Sequence, residues 1–76
     1  SIALDPSRIS AYGNRGLTHA ALGRFDAALA DYDQVIARDD KVAVAFNNRA
    51  NVYRRKGDLA RALVDLDRAV SLAPDD

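Results

Sequence analysis

The stretch AVAFNNRANVYRRKGDLARALVDLDRAVSLAPDD, Ala43–Asp76, decides the fold, because a similar stretch precedes it in the same chain. Shifted back so that Ala43 falls on Ile9, it lies over Ile9–Val42 without a gap, and we call this offset one repeat period. The identical pairs are Ala11/Ala45, Asn14/Asn48, Arg15/Arg49, Gly23/Gly57, Ala28/Ala62, Leu29/Leu63, Asp31/Asp65 and Asp33/Asp67. A fixed period of about 20–50 residues indicates a repeat architecture, in which each repeat is one supersecondary unit.

The first eight residues are predicted to be the end of an earlier copy of the repeat. Ala3–Pro6 precedes Ala37–Asp40 by one repeat period and Ser71–Pro74 by two. The 76 residues therefore form one helical-repeat domain, divided into 1–8, 9–42 and 43–76. The sequence contains no methionine, which indicates a piece of a longer chain.

Each full repeat is predicted to fold as two helices that meet at a glycine. The expected helices run over about 9–22, from the connection Arg24–Asp26 to about residue 38, and over about 43–56 and 59–72. Connections of about three residues place two helices antiparallel as a hairpin. The residues expected to face inward recur every three or four positions: Ala11, Tyr12, Gly16, His19, Ala20, Phe25, Ala28, Leu29, Tyr32, Val35, Ile36, Ala45, Phe46, Ala50, Tyr53, Leu59, Ala62, Leu63, Leu66, Ala69 and Val70.

Two local signals concern the first helix. Ser7, after the Asp5-Pro6 step, is predicted to act as its N-cap residue. His19 aligns with Tyr53 and is interpreted as a packing substitute for that tyrosine. No strand signal appears anywhere in the sequence, so the predicted fold is all-α, an α-solenoid of two helix hairpins.

The composition argues against several classes of function. There are 11 basic and 11 acidic residues, and a net charge of zero argues against a nucleic-acid partner. With no cysteine and a single histidine, no metal site and no cofactor are expected, and no serine or threonine has a recognisable activating base. No apolar run approaches the roughly 18 residues of a membrane span, so no membrane partner is expected. We therefore do not expect an enzyme.

The period and the alternation of small and large residues resemble the tetratricopeptide repeat family over the whole chain. The family pattern has an aromatic residue, Leu-Gly, Tyr, Ala-x3-Phe and Pro at fixed offsets. The residues that follow this pattern are Tyr12, Gly16, His19, Ala28 and Tyr32 in the first repeat, and Phe46, Ala50, Tyr53, Ala62, Leu66 and Pro74 in the second.

One departure from this pattern is repeated in both units. The leucine that the family pattern places before the small residue is Arg15 in the first repeat and Arg49 in the second. An arginine on a largely buried face must be paired or must reach water. We predict ion pairs of Arg15 with Asp31 and of Arg49 with Asp65, or of each arginine with an aspartate of the neighbouring unit. The alternative is that these charges lie solvated on outer faces.

The resemblance implies a concave surface, lined by the first helix of each repeat, that binds extended peptides, often through a free terminal carboxylate. The stacking of repeats with a constant rotation independently predicts a concave face. The candidate peptide-binding residues on this face are Asn14, Leu17, Asn47, Asn48, Asn51, Arg54 and Arg55. Ser10, Gly13, Ala21 and Val44 are expected to share the same face.

Side-chain amides can bridge the N–H and C=O groups of a peptide backbone, and arginine can bind a carboxylate through two hydrogen bonds. Asn14 and Asn48 match an asparagine that carboxylate-binding members of the family use. However, Gly13 and Leu17 stand at two further positions of that set and cannot serve. The alternative is that both asparagines bond within the scaffold and that Arg54, with its basic neighbours, favours the helix end through the dipole.

The leading hypothesis is a protein–protein interaction module that binds peptide segments of a protein partner. The alternative is a structural spacer or stacking unit of a longer array, because a terminal repeat without a polar cap leaves apolar residues uncovered. Leu63, Leu66 and Val70 are expected to be partly bare at one end, and Ile9, Tyr12 and Leu17 at the other. This predicts a homo-oligomer, formed head to tail or by exchange of helices. The sequence leaves the cellular location open.

Overall fold

A computed structural model describes residues 6–72 of the chain, and four α-helices with short connections account for most of them. The helices are α1 (Pro6–Ala21), α2 (Phe25–Arg38), α3 (Ala43–Lys56) and α4 (Leu59–Leu72). α1 packs on α2 and α3 packs on α4 as two hairpins, and the contact of α2 with α3 joins the hairpins. Within residues 6–72 there is no β-strand. The predicted all-α solenoid is confirmed.

The helix boundaries agree with the sequence pattern in the second hairpin and differ in the first. α3 and α4 have the predicted bounds, whereas α1 already includes Pro6 and α2 begins at Phe25. Proline suits the first position of a helix, because its N–H is missing where no intrahelical acceptor exists and its φ is already helical. Ser7 therefore lies inside the first turn of α1, so its prediction as an N-cap was wrong. The predicted end of an earlier helix over residues 1–4, and Pro74, lie outside the described residues.

Both hairpins turn at a glycine in the left-handed region, as predicted. Gly23 has a φ of 80° and Gly57 has a φ of 91°. After Gly57, the backbone N–H of Asp58 donates to the carbonyl of Tyr53 at 2.8 Å, and Arg24 donates in the same way to His19 at 2.8 Å. These bonds satisfy carbonyl groups that the helix ends would leave without donors. The two turns are therefore equivalent in geometry as well as in sequence.

The core confirms most of the inward stripe that the helical spacing predicts. The buried apolar residues are Ala28, Tyr32, Val35, Ala45, Phe46, Ala50, Val52 and Ala62. Gly16 is also buried, because the ring of Tyr32 lies against its backbone and leaves no room for a side chain. Burial raises the pKa of the Tyr32 hydroxyl above its ordinary value.

The predicted stripe missed one core residue, and five residues that it assigned inward are exposed: Ala11, Leu59, Leu63, Leu66 and Val70. Val52 is 1% exposed and belongs to the core cluster with Ala28 and Tyr32, although the stripe assigned to α3 did not include it. α3 contacts α2 as well as α4, so it buries two faces, and one stripe accounts for only one of them. Exposure of the last three was expected at an uncapped end, whereas the exposure of Ala11 and Leu59 corrects their prediction as inward residues. Both belong to helices that pack on fewer neighbours than α3 does.

The predicted ion pair of Arg15 with Asp31 is confirmed. Arg15 Nε and Nη2 donate to the carboxylate of Asp31, the closest contact being 2.7 Å from Nη2 to Oδ1. Asp31 is 4% exposed, so this carboxylate is removed from water and requires its partner. His19, partly buried as expected for a substitute of Tyr53, places its Nε2 3.8 Å from the same carboxylate.

Arg49 makes the equivalent pair and one further contact. Its Nε and Nη2 each donate to Asp65 at 2.8 Å, and its Nη1 donates to Asp33 of the preceding hairpin at 2.9 Å. These hydrogen bonds, those to Asp65 first, raise the pKa of Arg49 above its ordinary value despite partial burial. We predicted a pair with Asp65 or with an aspartate of the neighbouring unit as alternatives. Arg49 makes both contacts at once. The Arg49 guanidinium thus forms one of the links between the two hairpins.

Gly16 and Gly13 provide a matched test of close packing within α1. A Cβ added at Gly16 would lie 2.8 Å from the Tyr32 ring, whereas a Cβ at Gly13 would meet no atom within 4 Å. We expect Gly13→Ala to raise the free energy of unfolding by about 1 kcal/mol through helix propensity. We expect Gly16→Ala to lower it by about 1–2 kcal/mol, because the buried ring must move. Urea unfolding followed by circular dichroism measures both, and equal stabilisation by the two alanines would contradict the packing.

Removal of Arg49 tests the link between the hairpins. Arg49→Ala leaves the buried Asp65 without its partner and breaks the contact with Asp33, so we expect a loss of about 3 kcal/mol in unfolding free energy. Arg54→Ala, an exposed arginine on the same helix, is the matched control and should change the stability little. Arg15→Ala should cost less than Arg49→Ala, because Arg15 contacts only its own hairpin. Equal losses for Arg15→Ala and Arg49→Ala in urea unfolding would show that the Asp33 contact contributes nothing.

Candidate binding groove

Two adjoining depressions follow α1 and α3 on one face of the molecule. The first has a volume of about 260 Å³ and the second about 220 Å³. Pockets for drug-sized ligands are usually about 300–1,000 Å³, so each depression is suited to individual side chains. The first is lined by Ile9, Ser10, Gly13, Asn14, Leu17, Tyr32, Val35, Val42, Val44, Ala45 and Asn48. The second is lined by Leu17, Ala20, Ala21, Tyr32, Asn48, Asn51, Val52 and Arg55.

Three residues belong to both depressions and make them one groove. They are Leu17 on α1, Asn48 on α3 and Tyr32 on α2 between them. Leu17 is 50% exposed, whereas Tyr32 is 1% exposed. The rim of the groove is thus an accessible leucine and an asparagine, and its floor is a core residue. We refer to the two depressions together as the α1–α3 groove.

The structure brings most of the predicted concave residues together along this groove. Asn14, Leu17, Asn48 and Asn51 line it, and so do Ser10, Gly13, Ala21 and Val44. Asn14 and Asn51 are exposed, whereas Asn48 is partly buried between the helices. The first helices of the two repeats therefore present these side chains to a common surface.

Arg55 lines the groove but is already engaged with the first hairpin. Its Nη1 donates to the carbonyl oxygen of Ala20 at 3.0 Å. Its guanidinium group also lies over the ring of Phe25, 5.0 Å from the centroid. Arg55 therefore helps to hold α3 against the first hairpin, in addition to bordering the groove.

Two of the predicted site residues lie outside the α1–α3 groove. Asn47 faces a further depression beside α4, where it neighbours Leu66 and Val70, and this depression shares only Val44 with the groove. Arg54 lies outside both depressions, and its Nη2 donates to Asn51 Oδ1 at 3.4 Å. Asn47 and Asn48 face different sides of α3 because neighbouring residues in a helix point about 100° apart.

The two asparagines that repeat at the same position of each unit have unpaired side chains. Within residues 6–72, the side-chain amides of Asn14 and Asn48 make no hydrogen bond. Only the backbone carbonyl of Asn14 is used, as the acceptor of the Thr18 hydroxyl at 3.1 Å. The alternative that these amides bond within the scaffold is therefore wrong for this part of the chain. Both are available to a ligand.

The spacing of the first helices did not reveal the apolar base of the groove. Ile9, Val35 and Val42 line it, together with the core residues Tyr32, Ala45 and Val52. The helical stripe assigned Tyr32, Val35 and Ala45 to the core alone, although the base of a groove between helices is also the upper surface of the core. Val42 carried one available signal, since it is an apolar residue within the polar break that precedes α3.

The first depression has no charged residue among those that line it, and the second has only Arg55. Among the described residues, no three potential metal ligands lie close enough together to hold an ion. The helices within residues 6–72 are also too short or too polar to cross a membrane. The groove is therefore a mainly apolar surface with amides at its rim and one cation, Arg55, at its border.

Two stacked hairpins with a groove along their first helices define a helical-repeat protein of the α-solenoid class. Within that class, a sequence model described as tetratricopeptide repeat matches residues 14–76. The chain belongs to the tetratricopeptide repeat family, which confirms the resemblance seen in the sequence. Repeats of this family are non-catalytic modules that generally mediate protein–protein interaction. A comparison with curated proteins gives no match.

Arg55 and Arg54 are adjacent arginines with different contacts, so they test whether Arg55 holds the hairpins together. We expect Arg55→Ala to lower the free energy of unfolding by about 1 kcal/mol through loss of the contacts with Phe25 and the Ala20 carbonyl. Arg54→Ala should have little effect, because its only contact is a long bond to an exposed side chain. Thermal or urea unfolding of the two variants measures the difference. Indistinguishable stabilities would contradict a linking role for Arg55.

Proposed function

We propose that the chain binds extended segments of a partner protein in the α1–α3 groove. The observation that carries this proposal is the pair of unpaired amides, Asn14 and Asn48, beside an apolar groove. A side-chain amide has two donors and an acceptor with two lone pairs, which matches the N–H and C=O groups that an extended peptide leaves open. The family's general role in protein–protein interaction supports the same conclusion.

The groove also indicates the side chains that suit it. Leu17 divides two mainly apolar depressions, each of a size suited to one or two side chains. Successive side chains of an extended peptide point to opposite faces, so residues two apart can enter the same surface. We propose a ligand with two apolar residues at this spacing, whose backbone bonds to Asn14 and Asn48. No charge on the ligand is required.

The proposed ligand is an internal segment of the partner, with no requirement for a free C-terminus. A terminal carboxylate needs an available cation, and among residues 6–72 only Arg55 supplies one to the lining of the two depressions. Its guanidinium is held by the Ala20 carbonyl and the Phe25 ring. Recruiting Arg55 to a carboxylate would disturb the contact between the hairpins. Binding through backbone groups and apolar side chains avoids this cost, and it needs neither catalysis nor a cofactor.

A second candidate function is that of a stacking unit within a repeat array. The outer face of α4 supports it, because Leu63 is 61% exposed and Val70 is 64% exposed. Exposed apolar residues that are grouped on one helix face are typical of surfaces that bind another protein element. This role uses a different surface from the groove, so the two functions are compatible and separately testable.

The test of the groove uses three asparagines, two inside it and one outside. The chain is screened against an array of peptides, each presented with a free and an amidated C-terminus. For a peptide that binds, we expect Asn14→Ala and Asn48→Ala each to weaken the affinity roughly three- to tenfold, the value of one hydrogen bond. Leu17→Glu should abolish binding by placing a charge against apolar side chains.

Asn47→Ala is the matched control, because it removes the same amide from the same helix outside the groove. We expect it to leave the affinity unchanged, and we expect amidation of the peptide C-terminus to have no effect. An equal loss for Asn47→Ala and Asn48→Ala would contradict the groove as the site. A strict requirement for the free carboxylate would contradict the proposed ligand class, and no binding across the array would favour the stacking role.

A further inference from the structure

The outer face of α4 repeats a surface that is covered elsewhere in the same chain. Leu59, Leu63 and Leu66 stand one repeat period after Phe25, Leu29 and Tyr32. In α2 those three positions pack in the cluster with Val52 of α3. In α4 the equivalent leucines are 59%, 61% and 36% exposed. α4 therefore has a surface equivalent to the part of α2 that contacts α3, and nothing among residues 6–72 covers it.

The outer face of α1 repeats the other half of that contact. Thr18 stands one repeat period before Val52, Ala11 stands one repeat period before Ala45, and both Thr18 and Ala11 are exposed. Threonine has nearly the shape of valine, but its hydroxyl opposes burial unless it is hydrogen-bonded. The Thr18 hydroxyl already donates to the Asn14 carbonyl at 3.1 Å. Thr18 can therefore be buried in the place of Val52 without leaving its donor unpaired.

The α1 and α4 faces also carry opposite charges, an arginine on α1 and an aspartate on α4, at positions equivalent to an ion pair of the α2–α3 contact. Arg49 binds Asp65 with Nε and Nη2 and reaches Asp33 of the other hairpin with Nη1. Arg15 binds Asp31 with the same two atoms, while its Nη1 has no partner in residues 6–72. Asp67 on α4, one repeat period after Asp33, is exposed and equally unpaired in this part of the chain. Within residues 6–72, one guanidinium N–H on the α1 face and one carboxylate on the α4 face thus have no partner.

One ion pair of the α2–α3 interface cannot be repeated between the two faces, and its loss leaves neither partner's position with an unpaired charge. Lys56 pairs with Asp26 across that interface at 2.6 Å. The equivalent positions are Leu22, just after α1, and Ala60 in α4, which are both uncharged. Specific association requires that buried charges be paired or absent. These two positions satisfy this condition, and Leu22, itself 62% exposed, adds apolar surface.

We propose that the α4 face of one chain binds the α1 face of a second copy, repeating the α2–α3 contact. Thr18 of the second copy takes the position of Val52, and Arg15 Nη1 of the second copy donates to Asp67. The two faces differ, so the contact is heterologous and does not close on itself. Each added copy exposes a fresh α4 face, and the chain extends into a linear stack as concentration rises.

Two single substitutions block one face each and test the direction of the contact. Sedimentation velocity of the 76-residue chain over a hundredfold concentration range should show a mass that rises past the dimer. Leu63→Glu closes the α4 face and Thr18→Glu closes the α1 face, and each variant alone should be monomeric. Their equimolar mixture should form a dimer that grows no further, because each variant supplies the face that the other lacks. Circular dichroism confirms that both exposed-site variants are folded.

The ion pair has its own matched test. Asp67→Asn should weaken self-association several-fold, whereas Asp40→Asn, which removes an exposed carboxylate outside both faces, should not change it. The proposal is overturned by a wild-type chain that stays monomeric throughout the concentration range. It is also overturned by self-association of Thr18→Glu alone, which would show a symmetric α4–α4 contact, and by a mixture of the two blocked variants that remains monomeric.

Discussion

Arg49 links the two hairpins through a guanidinium group that binds a carboxylate of each. Its three donors satisfy one buried carboxylate of its own hairpin and one exposed carboxylate of the preceding hairpin. A buried carboxylate is costly without its partner, so the position of the α3 arginine is strongly determined. The Asp33 contact then restricts how far the first hairpin can rotate against the second. The relative orientation of α1 and α3, and with it the shape of the groove, follows from this constraint together with the packing of Val52 against Ala28 and Tyr32.

The repeat period made most of this arrangement predictable. It placed α3 and α4 at their observed bounds, it paired Arg15 with Asp31 and Arg49 with Asp65, and it located both glycine turns. These features depend on local spacing and on residue types with few physical alternatives, such as a charge on a buried face or a left-handed turn. The role of Val52 was not predictable in the same way. A single helical stripe identifies one buried face, and the second face of α3 exists only because another hairpin packs there.

In the candidate site too, helical position predicts some features, whereas others depend on contacts between the hairpins. Helical position alone placed Asn14, Leu17 and Asn48 on one surface. It also grouped Asn47 with Asn48, although a step of one residue turns a side chain by about 100° around the axis and takes Asn47 out of the groove. The engagement of Arg55 with Phe25 and the Ala20 carbonyl arises from contacts between hairpins, which no spacing within one helix reveals. A basic residue beside a groove is therefore a poor guide to ligand charge until its partners are known.

The position of Tyr32 has a thermodynamic consequence. Its ring packs against Gly16 and Val52, and it is also the floor of both depressions. Occupancy of the groove and cohesion of the two hairpins therefore share one side chain and cannot be independent. A ligand that binds better when this ring is packed would make the hairpins harder to separate, and by linkage a change that favours the packed hairpins would strengthen binding of that ligand. In the proposed binding mode, ligand affinity and the cohesion of the two hairpins are therefore coupled through Tyr32.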